Sequence, residues 1–510
     1  MEPLRLVAGP LTMIFEPESG FLRYVSCGGK EIVRGVYAAV RDENWGTSPH
    51  VLEEITHETT DKGFLVKWRL REGDKLVWEG TLSGWPEGSV DYEVRGKALR
   101  NYRGRRTGLC LLSPPSMSGL PVVVHHADDS IESSMFPESV SPHQPFYSVA
   151  GLEGPVDEKT QWRAGFRGEV FETEDQRNWS DASFKTYCRP QEWPQPFEVK
   201  EGEEIVHGVR IFLLPPMSES PCPPAEEGDY KWERTGTVPL VGTMANVDEP
   251  LSSQDAETLK SLNLAFVGVE VDDRNRMKSG LEVAAQIGAP VRLFLRGDWP
   301  AHASELLGET KPNSIVLTDI GVCDGSPDRL REIRETLRGV PIIISSPDNF
   351  TELNRHRPGC SGYDGLGFAV NPQVHTFDDR SILETGESHW RLVKDTVKIG
   401  GGKPAHVGPV TFGGGDDARL HDRVGAAYTA SAVMHQSEAG AASVALYRSH
   451  GKRGILGAGL VETIKGLAAL QGQPIEIARS ARPLERQAFR IGDRLVEIDT
   501  EKGGVKGFAD

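Results

Sequence analysis

The 510-residue chain predicts a multidomain fold: an N-terminal antiparallel β-sandwich, a central (β/α)8 TIM barrel and a small C-terminal β appendage. Three observations predict it. The chain is too long for one compact core. Its hydrophobic pattern changes near residue 213 from short alternating segments to strand-then-helix repeats. A proline-rich stretch lies where the pattern changes.

From residue 1 to about 213, short alternating segments are separated by Gly, Pro, Asn and Asp. GFLRYVSCGG (20–29) and SVDYEVRGKAL (89–99) are examples, and GFLVKWRLREGDKLVWEGTLSG (63–84) reads as a hairpin turning at Gly-Asp-Lys. Many short strands of this kind pack most simply as an antiparallel sandwich. The segment FLLPPMSESPCPPAEEGDYKW (212–232) holds five prolines and reads as the interdomain linker, because it can continue neither a helix nor a central strand.

Eight apolar strands follow: 239–246, 264–272, 291–297, 314–321, 341–346, 365–372, 405–412 and 443–449. Helical stretches lie between them. SSQDAETLKSLN opens on a plausible N-cap, SPDRLREIRETLRG carries Pro in its first turn, and HDRVGAAYTASAVMHQS is a third. This repeat matches a barrel. An open doubly wound sheet would want a glycine-rich turn after its first strand, and ANVDEPLS (245–252) has no glycine. The tail from about 473 returns to alternating β character. The expected domains are 1–225, 236–472 and 473–510.

The net charge of −17 argues against general binding to nucleic acid or to an anionic membrane. No apolar run approaches the roughly 20 residues of a membrane helix, and the first residues do not read as a secretory signal. The six cysteines are scattered without a CxxC pair, which reads as free thiols and, by default, a cytoplasmic location. Oligomeric state leaves no sequence signal.

Catalytic groups of a barrel sit at the C-terminal ends of its strands. Those ends supply Thr243, Asn246 and Asp248, then Glu270, Asp272 and Asp273, then Arg296 and Asp298, then Asp319. Asp348 and Asn349 follow the fifth strand, and the sixth supplies Asn371, Gln373, His375, Asp378 and Asp379. An Asp just past a strand also reads as a helix cap, and that alternative stands for Asp378 and Asp379. Glu270 lies inside an apolar strand, where a carboxylate needs a partner or a purpose. Glu270, Asp319 and His375 are therefore the candidate acid/base groups. Asn246, Arg296, Asn349 and Gln373 are candidates to bind hydroxyls or an oxyanion.

Several chemistries fit poorly. The fourth and seventh strands end in Thr-Asp-Ile-Gly (318–321) and Pro-Val-Thr-Phe (409–412), without the glutamates many sugar-cleaving barrels carry there. Neither GxSxG nor HExxH occurs. What remains is water attack on a carbonyl, with a carboxylate or His base and a cationic or amide oxyanion partner. Ester or lactone hydrolysis fits without a cofactor, and scattered His and Asp residues leave a divalent ion open.

Two stretches of the N-terminal region are dense in Asp, Arg, Asn, Trp and Lys without periodicity: VSPHQPF (140–146) and EDQRNWSDASFKTYCRP (174–190). The bland reading is a buried polar network that clamps the domains. The functional one places the second stretch over the barrel mouth, with Arg177, Trp179 and Lys185 holding the domains together or covering the site. His143, Glu174 and Asp175 form a reserve set. Together with RGVYAAVRDENWGT (34–47), NFTELNR (349–355) and NPQVHTFDD (371–379), these stretches resemble the D-apionate lactonase family over nearly the whole chain. The resemblance implies hydrolysis of D-apionolactone to D-apionate in bacterial breakdown of the plant sugar apiose. It also implies the same three-part architecture and a small sugar lactone as the partner. It carries no catalytic residue across. SSPDNF (345–350) departs locally from the expected pattern at Pro347 and Asp348, which weakens Asp348 while Asn349 stays. Two other readings remain open at this point: a glycoside hydrolase for apiose-containing glycans, and a non-catalytic carbohydrate-binding protein.

Overall fold

The computed structural model describes residues 1–216, 230–296, 310–323, 329–336, 338–414, 416–480 and 484–508. Most of the expected linker (212–232), Asp298, and the Ser-Pro-Asp opening of the helix at 326–328 lie outside the described residues. The chain forms two compact units: Met1–Gln176 with Ser183–Ala225, and Arg177–Ala182 with Glu226–Asp510.

The first unit is a large, predominantly antiparallel β structure of 17 strands. The described residues 1–216 hold no α-helix, only 3-10 turns at Pro115–Met117 and Gln176–Trp179. The expected hairpin is present: Gly63–Glu72 pairs with Leu76–Trp85, and Glu72 faces Leu76 across the turn. Gly73 opens that turn at φ +53°, a conformation that favours glycine. Alternate side chains point into an apolar core. There the rings of Phe15 and Trp68 lie 4.7 Å apart, and those of Trp68 and Tyr92 5.2 Å apart. Gly20 must be glycine, because a Cβ there would sit 2.7 Å from the Trp68 indole nitrogen.

The second unit contains a closed barrel of eight parallel strands. They are β1 (Leu240–Met244), β2 (Phe266–Val271), β3 (Val291–Leu295), β4 (Ser314–Leu317), β5 (Ile342–Ser346), β6 (Gly365–Val370), β7 (Ala405–Val410) and β8 (Ser443–Arg448). All eight fall within the segments read from the sequence. Met244, Phe266, Phe294, Val316, Ile343 and Ala445 fill the interior. Small residues make room for large ones: a Cβ on Gly242 would meet the Phe266 ring at 2.5 Å, and one on Gly268 would meet Met244 Sδ at 2.4 Å.

The described helices are α1 (Ser253–Ser261), α2 (Arg274–Ile287), α3 (Arg329–Thr336), α4 (Phe350–Arg355), α5 (Asp379–Glu384), α6 (His389–Ile399), α7 (Arg423–Ala439) and α8 (Ala458–Leu470). Ser252 caps α1 by accepting the Asp255 N–H, and Asp422 caps α7 by accepting that of Val424. A five-stranded sheet combines Lys231–Thr237, from before the barrel, with four strands between Pro474 and Lys506. No helix among the described residues is long and apolar enough to cross a membrane.

The cysteines depart from expectation in one place. Cys27, Cys110 and Cys188 are free and buried, but Cys360 is disulfide-bonded. Spacing along the chain carries no information about which sulfurs a fold brings together.

Candidate functional site

One β-bulge decides which side chains reach the top of the barrel interior. Strand β8 pairs with β1 so that Ala445 faces Gly242 and Leu446 faces Thr243, but Arg448 rather than Tyr447 faces Met244. Tyr447 is the extra residue, at φ +46°. Its hydroxyl lies 2.8 Å from Thr429 Oγ1 on α7. The bulge resets the side-chain alternation, so Arg448 follows Ala445 on the inner face. There its guanidinium donates to Glu270 Oε2 at 2.8 Å, and Arg296 stands 3.3 Å from Glu270 Oε1. Glu270 is thus held between two cations.

The neighbouring seam is tied by hydrogen bonds. Asn246 is buried, donates its side-chain amide to His450 O at 2.9 Å, and receives the Asp248 N–H on its Oδ1. Thr243 donates to Tyr447 O. Asp273 caps α2, while Asp248 and Asp272 both face Arg276. These groups act in holding strand ends and helix starts.

A second cluster gathers beyond β5 and β6, and residues Arg177–Ala182 belong to its compact unit. Asp181 Oδ2 lies 2.7 Å from His375 Nδ1, both partly shielded from solvent. The Trp179 ring meets the His375 ring edge-on at 5.9 Å. Asn354 on α4 donates to Asn178 Oδ1 at 3.0 Å, and Arg355 lies 5.8 Å over the Trp179 ring. Ser388 donates to Ser180 O at 2.7 Å. The segment is therefore pinned from three sides around one imidazole. Arg177, in the same segment, is fully buried.

Beside it, Arg419 binds Asp417 and Asp379, and Asp417 accepts from Gln373 Nε2 at 2.7 Å. The Arg419 guanidinium, helped by Gln373, holds the Asp417 carboxyl down to about 2. Asn371 orders the same loop, accepting the Gln373 N–H and donating to Gly413 O. Gln373 Oε1 and Asn349 Oδ1 are buried without a hydrogen-bond partner. Asn349 occupies the N-cap position of α4, yet its side chain makes no cap bond. Asp378 at α5 does cap, accepting the Ser381 N–H. Two buried amide oxygens with no donor are expensive, costing about 1–3 kcal/mol each, unless a ligand supplies the donors.

At the edge of β5, Ser346 donates to Glu352 Oε2 at 2.7 Å. Burial and then the adjacent Asp348 carboxylate raise the Glu352 carboxyl above the usual range, against the Ser346 hydrogen bond.

Of the sequence candidates, His375 and Trp179 meet, Gln373 lies two residues before His375 after β6 and Asn349 lies after β5 at the start of α4, while Glu270 and Arg296 form the separate arginine-clamped group. Asp319 is exposed, and no hydrogen bond or ion pair holds its side chain among the described residues. Lys185 lies in the β unit over the Tyr37 ring. There Glu174 accepts from Gln176, Asp175 accepts the Ser141 N–H, and His143 is exposed. The residues that sequence reasoning missed are Asp181, Glu352, Asp417, Arg419 and Arg448. Two of them sit inside stretches already singled out: Asp181 in the dense run 174–190, and Glu352 in NFTELNR (349–355), which carries the resemblance. Among the described residues, no three His, Cys, Asp or Glu side chains converge to hold a metal ion.

Residues 1–215 match the family described as D-apionate lactonase, N-terminal domain, and residues 322–415 match D-apionate lactonase, TIM barrel domain. A D-apionate lactonase of Brucella anthropi is 25% identical over 451 residues, covering 81% of this chain and 73% of that protein. Among solved structures, a glucosidase from Croceicoccus marinus matches at a TM-score of 0.36 and 11% identity, covering 52% of this chain and 76% of its own. A 4-O-α-L-rhamnosyl-β-D-glucuronidase from Fusarium oxysporum matches at a TM-score of 0.38 and 13% identity, covering 55% and 80%. The matches to both the N-terminal and the barrel families, together with the curated relative, place this chain in the D-apionate lactonase family.

Proposed function

We propose that this chain hydrolyses a sugar lactone, D-apionolactone to D-apionate, in carbohydrate catabolism. The observation that carries the reading is the 2.7 Å contact between Asp181 and His375 Nδ1. A carboxylate on Nδ1 fixes the tautomer and ring orientation and stabilises the imidazolium that forms when Nε2 takes a proton from water. That is the base that lactone hydrolysis needs. The orphan oxygens of Asn349 and Gln373 accept hydrogen bonds from substrate hydroxyls, and the Trp179 ring supplies an apolar wall. Arg296 and Arg448, held by Glu270, present cationic donors for the charge that develops on the carbonyl oxygen or for the product carboxylate.

The finer architecture belongs to the same proposal: a sandwich over 1–225, a (β/α)8 barrel over 236–472 and a β segment over 473–510. A cytoplasmic location is also part of it, with the Cys360 disulfide as the observation against.

The test is acid release from a panel of aldonolactones including D-apionolactone, followed with a pH indicator, with and without chelator. Turnover that His375→Ala abolishes supports the reading. A wild-type protein that opens no lactone removes it.

A further inference from the structure

Hydrolysis of a lactone needs a second proton transfer, to the leaving ring oxygen. When the tetrahedral intermediate collapses, the ring C–O bond breaks and its electron pair goes to an alkoxide that must be protonated. We propose that Glu352 is the acid that protonates this leaving ring oxygen, an inference that rests on the lactonase reading.

Position is the first argument. Glu352 lies on α4, directly after β5, on the side of the barrel where barrel chemistry is built. Arg355, one helical turn further on, lies over Trp179, and Trp179 meets His375 edge-on. Asn354 is tied to Asn178 in the segment that carries Asp181. Acid and base are thus mounted on one connected scaffold, with the unpartnered Asn349 Oδ1 at the start of the same helix.

Protonation state is the second. The Ser346 hydroxyl at the end of β5 donates to Oε2, and the Asp348 side chain hydrogen-bonds the same carboxyl group. Asp348 stands beside the group as a second carboxylate. Burial and the neighbouring carboxylate both raise the Glu352 carboxyl, which favours its protonated form.

The step balances without a co-reactant. Water oxygen bonds to the carbonyl carbon while His375 Nε2 takes the water proton. The ring C–O bond then breaks, and the ring oxygen takes the proton of Glu352. The imidazolium afterwards returns its proton to the Glu352 carboxylate.

The experiment compares Glu352→Gln with wild type on a lactone and on an aryl ester, whose phenolate leaves without protonation. Glu352→Gln is expected to lose lactone kcat by about a hundredfold or more while aryl ester turnover stays within about threefold. In wild type, lactone activity falls as pH rises through the Glu352 pKa, and Glu352→Gln lacks that alkaline limb. Asp348→Asn removes the like charge, lowers that pKa and moves the limb to lower pH. The pH profiles stand alone if the aryl ester is not a substrate, and Ser346→Ala provides a second variant should Glu352→Gln not fold. Lactone turnover by Glu352→Gln within threefold of wild type, or an unchanged alkaline limb, overturns the assignment. A wild-type protein that opens no lactone overturns the lactonase reading instead.

Discussion

Asp181 and His375 are 194 residues apart in the chain and 2.7 Å apart in space. If the carboxylate orients the imidazole, Asp181→Asn keeps the shape and removes the stabilisation of the imidazolium. Lactone kcat is expected to fall by about 10²–10⁴-fold, with KM changed little. Steady-state kinetics with a circular-dichroism check on folding reads this directly. An Asp181→Asn enzyme at wild-type kcat would reduce the contact to a structural tie.

Gln373 carries the second expectation. Its amide nitrogen is fixed by Asp417, which Arg419 keeps ionised, so Oε1 is presented in one orientation. Gln373→Ala removes one acceptor for a substrate hydroxyl and is expected to raise KM by about tenfold, the equivalent of roughly 1.4 kcal/mol. Asp417→Asn leaves the glutamine in place but unclamped and should raise KM less. A Gln373→Ala enzyme with unchanged KM would place the substrate elsewhere.

Glu270 separates two roles cleanly. As the counter-ion of Arg296 and Arg448, its replacement by Gln leaves two guanidiniums close together without a charge between them. Chemical denaturation should then show a loss of about 1–3 kcal/mol, with kcat reduced modestly. A loss of kcat beyond a hundredfold with stability unchanged would instead make Glu270 the acid/base group.

Glu72 in the β unit makes stability depend on pH. Burial pushes its carboxyl up to about 7 from an ordinary 4.5, against the pull of Lys75. The folded state therefore prefers the protonated form. The penalty for ionising it is absent below the unfolded pKa, grows between about 4.5 and 7, and is complete above. Glu72→Gln is expected to stabilise the protein at pH 8 by on the order of 3 kcal/mol at most, and by nothing at pH 4. Equal stabilisation at both pH values would mean that the gain is not electrostatic.

Much of the architecture was legible because it is written in local periodicity. Eight apolar runs spaced by helical stretches define a barrel, since each strand buries both faces and each helix buries one. The hairpin at Gly73 and the caps at Ser252 and Asp378 were legible for the same reason: turn and cap chemistry acts over a few residues. His375, Gln373 and Asn349 stood out as candidates because a strand end marks where polar groups collect.

What the tertiary structure alone decided is which of those groups meet. Arg448 was hidden because the bulge at Tyr447 breaks the two-residue alternation that a sequence reading assumes. Asp319 and Glu270 looked alike as strand-end carboxylates, yet one is exposed and the other is held between two arginines. Asp181 was hidden more deeply, since its segment lies among β-domain strands in the sequence and joins the barrel unit only in space. Local periodicity sets the faces and ends of elements. Pairing across 194 residues depends on how the packed elements close, and no short-range pattern encodes that distance.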